Sequence, residues 1–291
     1  MLKDCISFAH GYIECQIHGP VQHMPDVPLQ PIIKPWPGRG WALDFIGKIH
    51  PNSSLQHKHI LLAIDFFTKW VEAIPVKTTS SEVITDFIFK YIIARYGIPK
   101  CLVADRGVGF MAEKTQKFLA DYGIKFLHSS PYYAQSNGQA EVSNWVIMFI
   151  LKRMLDANPR SLHNELDHTL WAYRTSKRTP TGTTPYALMY GHDAVLPNEI
   201  NVESLRVCEQ HQLIGDDYVQ AMYQEHEDLD SRRMEAINSL IAEKKKIARL
   251  YDKRTRGRSF GVGDLVWNAC LPYGERVDGL GKWLLNGKVL L

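Results

Sequence analysis

WALDFIGKIHPNSSLQHKHILLAIDFFTKWVEAIPVK (41–77) decides the fold. Residues 41–48, 59–66 and 69–76 are apolar runs rich in β-branched and aromatic residues, and each reads as a strand. Only Phe67 and Thr68 separate the last two, which are therefore expected to pair as a hairpin. Two acids stand inside this apolar text. Asp44 interrupts the first run and Asp65 closes the second. An ionised carboxylate in such a place is costly unless it is hydrogen-bonded or bound to metal. On local grounds the two are equal candidates for a chemical role.

The segments that follow add helices. In TSSEVITDFIFKYIIARYGIP (79–99), Val83, Ile84, Phe87, Ile88, Tyr91 and Ile92 recur at helical spacing. Thr79 with Glu82 fits a capping box, and Gly97 with Pro99 a stop signal. CLVA (101–104) reads as a short buried strand ending at Asp105. A helix at about 111–122 and a strand, KFLHS (125–129), come next. The loop PYYAQSNGQ (131–139) opens a helix running to about Asp156. Its predicted buried stripe is Val142, Trp145, Val146, Phe149 and Ile150, with Glu141 at the edge of the stripe, able to face the sheet. A further helix is expected at 163–176, carrying Leu166, Leu170 and Tyr173, and a long amphipathic one at 217–252. FGVGDLVW (260–267) reads as the first strand of a small β module. Strands in succession, then strands linked by helices, indicate an α/β fold with a mixed sheet and helices packed on it.

Composition narrows the class. A chain of 291 residues with 45% hydrophobic and 22% charged residues is a globular protein, long enough for one core with appendages. The net charge of +3 is small, but its distribution is uneven. Residues 209–230 hold seven acids and no Lys or Arg, whereas 244–258 hold eight bases against Asp252 alone. That basic tail fits phosphate neutralisation or, equally, a solvated helix face. Five scattered cysteines (Cys5, Cys15, Cys101, Cys208, Cys270) with no secretory signal fit a reducing intracellular compartment. The apolar run WVIMFIL (145–151) falls far short of a membrane span, so no membrane partner is expected.

Asp44, Asp105 and Glu141 together suggest a divalent-metal site drawn from a strand, a strand end and a helix. Spacing alone is weak, because 31 acids offer many triples. Strand-end acids can be satisfied by backbone amides, and Glu141 in a first helical turn complements the helix dipole.

WALDFIG, LLAIDFFTKWVEAIPVK, the DRG turn after a strand and SSPYYAQSNGQAE resemble, in that order, the integrase core of gypsy-type long-terminal-repeat retrotransposons, particularly plant ones. LWAYRTSKRTPTGTTPYALMYGHDAVLP (170–197) is similar to the segment that closes that core. The resemblance covers roughly residues 1–270. It implies a ribonuclease-H-like, five-stranded mixed sheet flanked by helices, with a long helical C-terminal extension. It further implies that Asp44, Asp105 and Glu141 are catalytic and hold two Mg²⁺ (or Mn²⁺) ions. Trp41, three residues before Asp44, favours Asp44 over Asp65. The implied activity is phosphodiester hydrolysis followed by DNA strand transfer, inserting element DNA into target DNA. The implied partners are DNA and further copies of the chain, and the implied site of action is the nucleus. The domains it suggests are a zinc-domain remnant (1–24), a Pro-rich linker (25–38), the catalytic core (39–198), a helical extension with basic linker (199–258) and a truncated β module (259–291).

The family pattern is broken at particular residues. Arg106 stands where the family has Asn, and Gly109 where it has an amide. A pairing of Arg106 with Asp105 would compete with metal. Trp145 replaces a Lys or Arg that reaches DNA phosphate in the family. Near the start, Cys15 matches the last ligand of a His-His-Cys-Cys zinc site, but Tyr12 occupies the preceding Cys position, so no intact zinc site is expected. His10, His18, His57 and His59 read as ordinary solvent-facing histidines, and GKWLLNGKVLL (281–291) does not continue the β-module pattern. A nucleic-acid-binding relic without catalysis, a ribonuclease-H-like nuclease and a protein-interaction module stay open as alternatives.

Overall fold

The computed structural model describes residues 2–11, 34–128, 138–156, 160–202, 214–253, 266–269 and 287–290, with the single residues 158 and 208. A five-stranded sheet carries the molecule: β1 (Gly40–Ile46), β2 (His59–Asp65), β3 (Val71–Val76), β4 (Cys101–Ala104) and β5 (Lys125–His128). The strand order is β3-β2-β1-β4-β5. β1 runs antiparallel to β2, and β2 to β3, while β4 lies parallel to β1 and β5 parallel to β4. This is the mixed, helix-flanked sheet expected from the sequence. The β2–β3 hairpin forms too, with residues 66–70 as its connection rather than Phe67 and Thr68 alone.

Alternation along β1 divides the core. Ala42 and Ile46 point to one face, where they pack with Val103, Ile147, Leu151, Leu166, Leu170 and Tyr173. Trp41 and Leu43 point to the other, against Ile84, Phe87, Ile88, Ile92 and Phe110. Helices cover both faces, and α1 (Leu2–Gly11) lies outside them in the chain's second unit. α2 (Ser81–Phe87) continues through a π-helical turn, Ile88–Ile93, and Ala94–Tyr96 on the second face. Its N-cap is Ser80, without a side-chain cap bond, so the expected Thr79 capping box does not form. α3 (Val108–Met111) and α4 (Glu113–Asp121) replace the single helix expected at 111–122. α5 (Gly138–Leu155) and α6 (Leu162–Thr175) cover the first face.

Beyond them lie α7 (Pro185–Tyr190), α8 (Pro197–Asn201) and the long α9 (Asp216–Asp252). α9 places Ala236 and Leu240 against Phe67 and Leu188. Contacts divide the chain into residues 31–246 and a second unit of residues 1–30 with 247–291. In the second unit β6 (Val266–Ala269) pairs antiparallel with β7 (Gly287–Leu290). Cys15, Tyr12, His18, most of the Pro-rich linker, the loop 131–137 and Arg254–Arg258 lie outside the described residues. No described helix is long and apolar enough to cross a membrane.

Candidate active site

Register brings two of the three predicted acids together. Gly40, Trp41 and Ala42 of β1 stand beside Cys101, Leu102 and Val103 of the parallel strand β4. Continuing that ladder two residues sets Asp44 beside Asp105, at the same end of adjacent strands. Asp44 shares the parity of Ala42 and Ile46, so it lies on the α5 face.

The two carboxylates have different surroundings. Asp44 is half-buried; its Oδ1 accepts from the Phe45 amide at 2.8 Å and its Oδ2 from Asn144 Nδ2 at 2.6 Å. Asp105 is exposed, and its Oδ1 accepts from the Gly107 amide at 3.0 Å, closing the turn after β4. Glu141 lies in the first turn of α5; its side chain is outside the described set. It precedes Asn144 by three residues, and positions three apart share a helix face. Asn144 touches Asp44, so that face of α5 is the one turned to β1. Among the described residues no three His, Cys, Asp or Glu side chains cluster, a set that does not include the Glu141 side chain.

Asn144 was missed by sequence reasoning. Its amide holds Asp44 while its own Oδ1 is buried without a partner. The available signal was position: one helical turn after a candidate acid, inside an apolar helix. The rotation of α5 was also misjudged. Ser143, Ile147 and Leu151 are the buried residues, whereas Val142, Trp145 and Phe149 of the predicted stripe are 66%, 68% and 49% exposed. Apolar residues surround α5 on every side from 145 to 151, so periodicity carries no phase. Two polar contacts set it instead: Asn144 to Asp44, and the Tyr173 hydroxyl, which donates to Ser143 Oγ at 3.0 Å.

Asp65 is a structural acid. It is buried, on the opposite sheet face with Ala63 and Trp41, and accepts from the Gly38 amide, the Thr68 amide and the Thr68 hydroxyl at 3.0, 2.8 and 2.8 Å. Burial pushes its pKa up to about 6, against the lowering effect of those donors. Lys69, at φ 63° in the same turn, is also buried; burial brings it down to about 7. Glu72 is a second buried acid on that face. Trp70 Nε1 and the Tyr96 hydroxyl donate to one of its oxygens at 2.9 and 2.5 Å, and Arg95 and Arg174 reach the other at 3.1 Å each. A cavity of about 650 Å³ opens beside it, lined by Trp70, Tyr96, Arg174 and Tyr190 among others.

The residues that depart from the family pattern behave differently from one another. No ion pair joins Arg106 to Asp105 among the described residues, contrary to the competing pair considered from sequence. The Arg106 charge instead lies near His128 at the end of β5, where burial first and then Arg106 lower the histidine pKa. Gly109 is fixed by packing: a Cβ there would sit 2.3 Å from the Thr79 carbonyl oxygen and 2.8 Å from Ile84 Cδ1. An amide side chain is therefore sterically excluded from this turn as it is packed. His57 is not a plain surface residue either. It is half-buried, bonded to Ser53 Oγ at 3.1 Å and near His163, and burial lowers its pKa.

The strand order, the strand directions and two acids on adjacent parallel strand ends define a ribonuclease-H-like fold. Residues 35–134 match the family model described as integrase core domain; the match includes Asp44 and Asp105 and ends before Glu141. The Gag-Pol polyprotein of Gibbon ape leukemia virus is 35% identical over 158 residues, 53% of this chain and 9% of that protein. The Pol polyprotein of Radiation murine leukemia virus (strain Kaplan) is 31% identical over 163 residues, covering 56% and 28%. The chain thus spans less than a third of the length of these relatives. Among solved structures, a chain of the simian T-cell lymphotropic virus intasome in complex with PP2A regulatory subunit B56 gamma shares the fold. The TM-score is 0.52 at 21% identity, over 68% of this chain and 69% of that one. Residues 35–134 thus match the integrase core domain model, and about half of the chain is similar to retroviral Pol proteins.

Proposed function

We propose that this chain is the catalytic part of a gypsy-type, plant-like retrotransposon integrase, and that Asp44, Asp105 and Glu141 are its catalytic, metal-holding residues. The observation that carries this reading is the β1–β4 register, which sets Asp44 beside Asp105 on the face where α5 presents Asn144. The donor set fits the metal. Carboxylate oxygens with a buried amide oxygen nearby are hard ligands of the kind Mg²⁺ or Mn²⁺ prefers. Asp44, Asp105 and Glu141 would hold such ions, which would supply charge stabilisation to an in-line phosphoryl displacement.

The protein's own contribution is placement. β1 and β4 fix two carboxylates by backbone pairing, and α5 supplies the third from its first turn. Asn144 donates to Oδ2 of Asp44 and so orients its carboxylate. Chemically, a water oxygen attacks phosphorus near a DNA 3′ end, and the bond to the trimmed nucleotides breaks. The freed 3′ oxygen then attacks a target phosphodiester, whose own 3′ oxygen departs. One phosphodiester replaces another, so no covalent protein intermediate is needed. In this reading residues 39–198 are the core, DNA and further copies of the chain are the partners, and the nucleus is the site of action.

The test is a labelled DNA-end assay with the full chain and Mg²⁺ or Mn²⁺. Trimming and joining are expected, with Asp44→Asn, Asp105→Asn and Glu141→Gln each abolishing both while circular dichroism stays unchanged. Joining that survives all three substitutions would sink the assignment. Salt-sensitive DNA binding without divalent-dependent cleavage would identify a relic, and preference for RNA–DNA hybrids a nuclease.

A further inference from the structure

We infer that His57 and His163 bind a transition-metal dication of the zinc class, clamping the β1–β2 connection to the start of α6. The site is separate from the proposed carboxylates and does not depend on the integrase reading. Its two imidazoles come from different elements, His57 from the connection and His163 from the first turn of α6. Both are half-buried, and their ring centroids are 6.3 Å apart with planes inclined by 59°. A direct hydrogen bond between two imidazoles needs centroids about 5 Å apart, so the rings do not bond each other. A metal at about 2.0–2.1 Å from each nitrogen lies roughly 3.2 Å from each centroid, so one bridging ion spans up to about 6.4 Å. Tetrahedral ligation draws the rings about 1 Å closer, a movement within reach of small side-chain rotations.

Hydrogen bonding assigns the nitrogens. His57 Nδ1 is 3.1 Å from Ser53 Oγ, and the same oxygen accepts the His57 amide at 3.0 Å. Ser53 is buried, so this grip fixes the ring. With Nδ1–H donating to Ser53, Nε2 carries the lone pair, the outer-shell arrangement of metal-ligating histidines. His163 Nδ1 is buried without a hydrogen-bond partner, and so is Asn52 Oδ1, in the residue before Ser53. A buried lone pair left unpaired is costly, and an ion that accepts it removes the cost. Loop and helix are already joined here, because the Ser54 amide donates to the Arg160 carbonyl at 3.0 Å. Imidazole nitrogens select zinc-class ions over Mg²⁺. Burial first, then His163 and Lys77, lower the His57 pKa, which keeps that ring neutral and able to ligate at pH 7. No third His, Cys, Asp or Glu joins the pair among the described residues, so its affinity falls below that of a four-ligand structural site.

The experiment titrates Co²⁺, then Zn²⁺, into the full chain in excess Mg²⁺, which occupies carboxylates but competes poorly for imidazole. The readouts are the visible Co²⁺ spectrum and the melting temperature. Wild type is expected to show Co²⁺ d–d bands that Zn²⁺ displaces, and a rise in Tm of about 2–4 °C at saturating metal. The difference spectrum between wild type and His163→Ala should lack the near-ultraviolet charge-transfer band of a thiolate ligand. His57→Ala and His163→Ala should each lose the bands and the Tm rise. His57→Phe and His163→Phe, which keep a ring and remove its nitrogens, repeat the test where an alanine variant fails to melt cooperatively in EDTA. Ser53→Ala, which removes only the outer hydrogen bond, should weaken binding about tenfold. Bands and Tm rise unchanged in the histidine variants would place the metal elsewhere and overturn the inference. No metal response in wild type would overturn it too, leaving an ordered water between the rings. DNA joining in Mg²⁺ is expected to be the same in wild type and His57→Ala, so either failure leaves the integrase reading standing.

Discussion

Glu72 and Asp44 are both acids set into the same sheet, on opposite faces, and they are treated in opposite ways. Glu72 is saturated: an indole, a phenol and two guanidinium groups converge on its two oxygens. Asp44 is half-buried, held by one neighbouring amide and by Asn144, and its partner in register, Asp105, is exposed with one backbone donor. A carboxylate that the protein neutralises is part of the fold. One that is oriented but left with solvent access is available to a ligand. That contrast, more than the presence of acids, separates structure from chemistry here.

The strongest way to break the comparison is to remove both acids in turn. Asp44→Asn is expected to abolish metal-dependent DNA joining while leaving the unfolding midpoint nearly unchanged. Glu72→Ala is expected to do the reverse. Leaving two arginines, an indole and a phenol without their acceptor should cost about 3–5 kcal/mol, a fall in Tm on the order of 10 °C for a domain of this size. The protein that remains folded should still join DNA. Parallel thermal melts and joining assays decide it; a Glu72→Ala protein that is stable but inactive would erase the distinction.

Asp65 sharpens the comparison through pH. Its folded pKa of about 6 exceeds the ordinary carboxylate value of 3.8, so the folded state keeps a proton that the unfolded chain has lost. Its contribution to stability is therefore complete below about pH 4 and is lost as pH rises to about 6. Urea unfolding at pH 4 and pH 6.5 should show wild type losing on the order of 2–3 kcal/mol relative to Asp65→Asn across that window. Lys69, brought down to about 7, acts with the opposite sign and only at higher pH, where stability rises as its unfolded-state proton is lost. Equal pH slopes in wild type and variant would mean that the Gly38 and Thr68 donors, not burial, govern Asp65.

The fold was legible because the apolar runs at 41–48, 59–66 and 69–76 read as strands and the spacing in 83–92 as a helix. The split of the β1 side chains between two cores follows from the two-residue period of a strand. What could not be read depended on contacts across the chain. Nothing local separates Asp44 from Asp65; the donors that neutralise Asp65 come from Gly38 and from its own turn. The rotation of α5 was hidden by apolar residues on all sides and is set by Ser143 and Asn144, which look incidental in sequence. Gly109 reads as a lost amide until its neighbours are seen to leave no room for one.

Asn144 offers the smallest expected effect. Asn144→Ala removes a support and no carboxylate, so it should lower divalent affinity or joining rate about 10-fold, well short of losing a carboxylate. Joining measured across a Mg²⁺ titration would show the curve displaced rather than abolished. A complete loss would move Asn144 from a positioning residue to a ligand.

Direct counting of bound metal tests the central claim. Mn²⁺ titrated into the full chain and followed by electron paramagnetic resonance should show two ions bound, as the two-ion assignment requires. Asp44→Asn and Asp105→Asn should each lose that binding, and Glu72→Ala should retain it. Undiminished Mn²⁺ binding by Asp44→Asn would contradict the account.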